Sequence, residues 1–262
     1  MFGSMVEPGS QGEAVGRLFL AVVIVLFLPA LPGGTYLIYP FVILTTWFHE
    51  MGHGLTALMM GQEFVQLEIY ADGSGVALSQ LDGGVSPFVS AAIAAGGPLA
   101  PVMAGCALIL ASAHRKLWRP ALWLTAIALL ASVILYVRSA TGYAVLPLLA
   151  VLLVGIAWRA PAGLTRFSIQ FLGVLASLSM LRDFNYLFTE EAVIGGERML
   201  SDTGQIEQAL LLPHWFWAGA ILLISAAMVL ASLKYALNEK RLRGIPVKPP
   251  ANVLQFRQRP PR

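Results

Sequence analysis

Tyr39-Pro40-Phe41-Val42-Ile43-Leu44-Thr45-Thr46-Trp47-Phe48-His49-Glu50-Met51-Gly52-His53-Gly54 opens a run, ending at Gly61, that is otherwise made almost wholly of apolar and small residues. Two histidines four apart share one face of a helix, one turn apart. Both imidazoles can then reach the same metal ion, and Glu50 can reach a water bound to it. The competing reading is three polar residues in a core helix. It leaves a cost unexplained, because an ionisable side chain near mid-bilayer costs on the order of 3 kcal/mol. The chain has four histidines in all and spends two of them, with a glutamate, on this one turn. A shared ion compensates that cost.

The surrounding composition sets the class. The chain has 262 residues, 57% hydrophobic and 12% charged, where soluble domains carry about 25% charged residues. Mean hydropathy is positive. Several apolar runs approach the roughly 20 residues that span a bilayer as helix. The expected fold is an all-α polytopic membrane protein of about 6–7 transmembrane helices, with a small β-hairpin between spans two and three. The single cysteine, Cys106, lies in an apolar run and reads as a buried hydrophobe. The first sixteen residues hold Glu7 and Glu13 and no Lys or Arg, which argues against a cleaved signal peptide. There is no nucleic-acid motif.

In order, residues 1–16 read as a flexible N-terminus, 17–237 as the helical domain, and 238–262 as a basic, Pro-rich disordered tail that could lie against anionic lipid. Spans are expected at Arg17–Leu31, Pro40–Gly61, Phe88–Ser112, Pro120–Val137, Tyr143–Trp158, Phe167–Leu181 and His214–Leu237. Val65, Leu67 and Ile69 alternate with Gln66 and Glu68, which is strand periodicity. Ala71 to Gly75 then reads as a turn, and Val76-Ala77-Leu78 as the return strand. Ala95-Gly96-Gly97-Pro98 allows close backbone approach and a local break in the third span. Residues 182–212 read as a long polar connection.

The basic residues set an expected orientation. Seven spans place Arg115, Lys116, Arg119, Arg159, Arg166 and the basic tail on one side, the cytoplasm. The acidic 62–87 and 183–211 loops then share the outer side with the N-terminus.

His49-Glu50-Met51-Gly52-His53 is the His-Glu-x-x-His zincin arrangement. Together with Gly54, Gly61, the Asp72-Gly73-Ser74-Gly75-Val76 turn and Ala95-Gly96-Gly97-Pro98, it resembles the M50 class of intramembrane zinc metallopeptidases. That class includes the site-2 proteases, and the M50B-like branch is the nearest. Ser201-Asp202-Thr203-Gly204 ahead of Leu212-Pro213-His214-Trp215 is similar to a late segment of that branch. The resemblance implies a Zn2+ held by His49, His53 and a distant aspartate, with Glu50 as general base. Asp202 is the first choice for that aspartate, with Asp82 of Leu81-Asp82-Gly83 next and then Asp183. Asp202 also reads as a helix N-cap, Asp82 as a solvated turn, and His214 as an interfacial histidine that could join the metal. The resemblance further implies a membrane-embedded protein or transmembrane helix as substrate, the lipid bilayer as setting, and the inner (cell) membrane of a bacterium. It implies a site open to the cytosol, whereas the charge pattern runs the second span outward.

Two other classes compete. A non-catalytic membrane protein could use a closed zinc site to hold a partner helix, and then needs a fourth protein ligand. A metal-ion transporter needs a continuous polar path, and spans four and five carry almost no polar residues.

Overall fold

The computed structural model describes residues 11–238. In order it comprises α1 (Gln11–Phe27), a 3-10 turn, α2 (Gly34–Met59), β1 (Glu63–Ile69), β2 (Gly75–Gln80) and α3 (Pro87–Ser112). A second half follows with α4 (Trp118–Leu135), α5 (Ala140–Arg159), α6 (Ala162–Arg182), α7 (Phe184–Leu187), β3 (Glu191–Ile194), β4 (Glu197–Leu200), α8 (Asp202–Leu210) and α9 (His214–Ala236). The expected disordered tail from 239 onward and the first ten residues lie outside the described residues. Residues 11–16 begin α1.

Among the described residues six helices are long and apolar enough to cross a membrane: α1 with its 3-10 extension, α3, α4 with the turn before it, α5, α6 and α9. The fold is that of an integral, multi-pass membrane protein. α5 and α6 are longer than their apolar runs, at 20 and 21 residues. Ser139 caps α5 by accepting from the Gly142 N–H, and Pro161 precedes α6.

The seven-span orientation is corrected in one respect. The Gln11 side-chain amide donates to the Leu237 carbonyl at 3.0 Å, so the start of α1 lies beside the end of α9. The end of α3 is there too, because His114 meets the Tyr235 hydroxyl at 3.2 Å. An even number of crossings returns a chain to the end it started from. The N-terminal end of α1 therefore sits with the basic loops, which fits six crossings and not seven. His49, Glu50 and His53 keep α2 outside the apolar set although it has 26 residues.

α2 is instead held inside the bundle. The Trp47 indole N–H donates to Ser132 Oγ at 2.7 Å, tying it to α4. The ring of Phe41 meets that of Phe171 of α6 edge-on at 5.1 Å. Against α3 the helix backbones touch: a Cβ on Gly52 would lie 2.3 Å from the Gly96 carbonyl oxygen. The small residues read from the sequence thus do allow close approach. The expected local break is not there, and α3 runs through Pro98 and Pro101 unbroken.

The first hairpin lies along α2. Phe64 packs on Gly54, and at the tip Tyr39 and Thr46 donate to the carbonyls of Ala71 and Gly73. Strict alternation predicts Val65, Leu67 and Ile69 on one face. A bulge between Phe64 and Gln66 shifts the register. Phe64, Leu67 and Ile69 are buried, and Val65 is exposed.

Only one edge of this hairpin is open. The outer edge of β1 is taken by the α4–α5 connection: Leu67 N–H donates to the Tyr136 carbonyl and Arg138 N–H to the Leu67 carbonyl, each at 2.9 Å. Among the described residues β2 pairs with β1 alone.

A second hairpin, β3–β4, stands in the segment read as a polar connection. Gly195 and Gly196 form its two-residue turn, with φ of 59° and 89°. Such a turn needs positive φ at both positions, which glycine adopts without penalty.

Candidate metal centre

Three side chains from two distant segments converge. His49 and His53 come from successive turns of α2, and Asp202 from the first turn of α8. His49 Nε2 lies 3.0 Å from Asp202 Oδ2. His53 Nε2 lies 3.2 Å from Asp202 Oδ1 and 3.2 Å from His49 Nε2. Among the described residues these are the three whose ligand atoms could jointly hold a metal ion.

Local chemistry explains why they face one another. His53 Nδ1 lies 2.8 Å from the Ile93 carbonyl, which can only accept, so that nitrogen carries the proton. In the neutral ring the Nε2 lone pair then points at the cluster. Gly97 leaves room for this ring, since a Cβ there would lie 2.1 Å from His53 Nε2. Ser201 is the N-cap of α8, its Oγ accepting from Gly204 N–H at 3.0 Å. The capping role read for Asp202 thus falls to its neighbour, and the Asp202 carboxylate is left to face the histidines.

Asp202 is 2% exposed, and its Oδ2 has no hydrogen-bond donor although it lies close to His49 Nε2. A buried carboxylate oxygen without a donor is costly. Two lone-pair nitrogens and a carboxylate at 3 Å repel unless a positive charge lies between them. An anion and two imidazoles converging on one point fit a divalent cation.

Glu50 is 5% exposed and adjoins the cluster. Gly75 of β2 presses on it: a Cβ at 75 would lie 2.8 Å from Glu50 Cγ and 2.9 Å from Oε1. The Ala77 backbone amide faces its carboxylate. Two cavities, of about 450 and 180 Å³, open on either side, and His49, Glu50, Gly75, Tyr186 and Ile194 line both. The first cavity also meets the Asp72 turn, where hydrogen bonds from Ser74 hold the Asp72 carboxyl below its ordinary value.

The other sequence candidates lie elsewhere. Asp82 is exposed in a turn, its N–H bonded to the Gln62 side chain. Asp183 lines the larger cavity beside Arg182, 3.5 Å away, and is outside the metal cluster. His214 is engaged by Glu207, whose Oε2 takes its backbone N–H at 2.7 Å and its ring Nδ1 at 2.8 Å. Sequence reading missed Tyr186 and the second hairpin, and gave Gly75 only a place in a turn. Only the hairpin had a signal, Gly195-Gly196 between two short runs.

A helical membrane protein with a two-histidine cluster closed by a buried aspartate and an adjoining glutamate falls in the class of membrane metallopeptidases. The chain belongs to the Peptidase M50B-like family, whose model matches residues 18–232. No curated protein and no solved structure matches the chain.

Proposed function

We propose that the protein is a zinc-dependent intramembrane endopeptidase, acting on membrane-embedded protein substrates in the inner (cell) membrane of a bacterium. The observation that carries this reading is the convergence of His49, His53 and Asp202, with Asp202 Oδ2 lacking a hydrogen-bond partner, beside Glu50. Zinc bonds of about 2.0–2.1 Å at tetrahedral angles place neighbouring donor atoms roughly 3.3 Å apart. The three separations here are 3.0, 3.2 and 3.2 Å. His49, His53 and Asp202 would hold the ion, which when bound supplies a Lewis acid for the carbonyl and a water of lowered pKa.

The chain's own residues do the rest. Glu50 takes one proton from the attacking water as the water oxygen adds to the carbonyl carbon. It delivers that proton to the amide nitrogen as the C–N bond breaks, leaving an acid and an amine. Packing against Gly75 and the Ala77 amide keeps the Glu50 carboxylate in place.

A helical substrate hides its carbonyls in hydrogen bonds, so a segment must be extended to react. The open edge of β2 supports this, since it lines the smaller cavity with Gly75, Val76, Ala77 and Ser79. An extended segment adding to that edge would lie across the cluster. The alternative, a closed zinc site that holds a partner helix, needs a fourth protein ligand. Among the described residues the metal-competent group has three members, and His214 is bonded to Glu207.

The test is zinc content and peptide cleavage by purified protein in bilayer discs. Wild type should hold one zinc and cleave; Glu50→Gln should keep the zinc and lose cleavage. Normal cleavage by Glu50→Gln, or wild type without zinc, sinks the reading.

A further inference from the structure

We propose that Tyr186 is a positioning residue of the metal centre, its hydroxyl fixing the Asp202 carboxylate against the two imidazoles and so setting affinity for the ion. This rests on the reading that His49, His53 and Asp202 hold that ion.

The argument starts from α7, a single turn that cannot stand alone. It is clasped to the start of α8 by three bonds. Thr203 Oγ1 donates to the Leu187 carbonyl at 2.7 Å, and Ser201 Oγ to the Thr189 carbonyl at 2.5 Å. Between them, the Asp202 N–H donates to the Tyr186 hydroxyl at 3.2 Å. The first amides of a helix have no partner within it. Here one of them is satisfied by a phenol oxygen.

A phenol has one proton to give as well as lone pairs to receive. Having accepted from the Asp202 amide, Tyr186 keeps its O–H free to donate. It lies against the carboxylate of the same residue. One hydroxyl thus accepts from the Asp202 amide and stands beside the Asp202 carboxylate, placed to donate to it. That fixes which way the carboxylate is turned toward His49 and His53. The ring also meets His49 edge-on, with centroids 6.3 Å apart. A phenylalanine would fill the same space, so packing alone does not call for the hydroxyl. Partners that orient metal ligands from behind are worth about 10–100-fold in metal affinity.

The experiment compares wild type with Tyr186→Phe in bilayer discs, using competition with a chelator for zinc, the absorption spectrum of the cobalt-loaded protein, and turnover against free zinc. Tyr186→Phe should bind zinc about 10–100-fold more weakly and shift the cobalt spectrum. The melting temperature of the metal-free protein should not change, and saturating zinc should restore turnover. Unchanged zinc affinity overturns the proposal. So does turnover that saturating zinc fails to restore, which would put the phenol in the reaction itself. Loss of the metal-free fold overturns it too, by making the clasp a general structural one. Wild type without zinc would instead sink the metal centre, and this inference with it.

Discussion

Gly97 of α3 faces His53 of α2 so closely that a Cβ at 97 would lie 2.1 Å from the imidazole Nε2. The absence of a side chain on one helix makes room for a metal-facing nitrogen on the other. Gly97→Ala should push the His53 ring off its Ile93 bond and cut zinc occupancy at least tenfold. Gly155 and Gly219 have open space at the Cβ position. Alanine there should keep zinc and raise stability by roughly 0.5–1 kcal/mol, the helix preference of alanine over glycine. Zinc content and thermal melting of the three variants check both statements.

Gly75 does for Glu50 what Gly97 does for His53, and the consequence differs. A Cβ at 75 would press first on Glu50 and Thr46. Gly75→Val should therefore retain zinc while cleavage falls by a factor of about 100, the lower end of what general-base catalysis contributes. Equal loss of zinc and activity would mean that the strand supports the metal cluster as a whole.

The rival aspartates separate cleanly. Asp202→Ala removes the buried carboxylate from between two imidazoles and should abolish stoichiometric zinc. Asp82→Ala, in an exposed turn, and Asp183→Ala, beside Arg182, should leave zinc content at the wild-type level. Zinc analysis on the three purified variants decides among them.

Much of this centre was legible in the sequence because its chemistry is local. His49, Glu50 and His53 sit one turn apart, and helix geometry alone brings them together. Asp202 was reachable only through resemblance, since no local pattern links position 202 to position 49. α2 read as a crossing from its apolar first half, and His49, Glu50 and His53 are what keep it out of the apolar set. Alternation at Val65, Leu67 and Ile69 showed the first hairpin but not its bulge, which moves Val65 out of the buried face. The second hairpin went unread because Glu190, Glu191, Glu197 and Arg198 make its strands look like a solvated loop. Tyr186 has no sequence signal; its role depends on a bond to a backbone amide sixteen residues away.

The two hairpins meet at their tips. A Cβ on Gly195 would lie 2.6 Å from the ring of Tyr70, and Tyr70 itself is tied to Glu68 through its hydroxyl at 3.1 Å. Tyr70→Ala should loosen β3–β4, seen as faster amide hydrogen exchange over residues 191–200, with no change at α2. Zinc content should stay at the wild-type level, because no metal-facing residue touches Tyr70. Unchanged exchange would show that the clasp between α7 and α8 holds the hairpin by itself.

Glu207 joins α8 to α9, and its titration gives the junction a pH dependence. It accepts from the His214 backbone N–H and ring, and these bonds hold its carboxyl below the ordinary value. A carboxyl depressed in the folded state adds stability that is complete above its unfolded pKa and is lost as pH falls through the folded one. Lowering the pH through the carboxylate range should therefore speed exchange at the first amides of α9. In Glu207→Gln that acid-dependent step should vanish, leaving faster exchange at neutral pH. The site is on the surface, so global melting should move little. Zinc content should be unchanged in both Glu207→Gln and His214→Ala. Loss of zinc in His214→Ala would return this histidine to the metal and revive the closed, non-catalytic site.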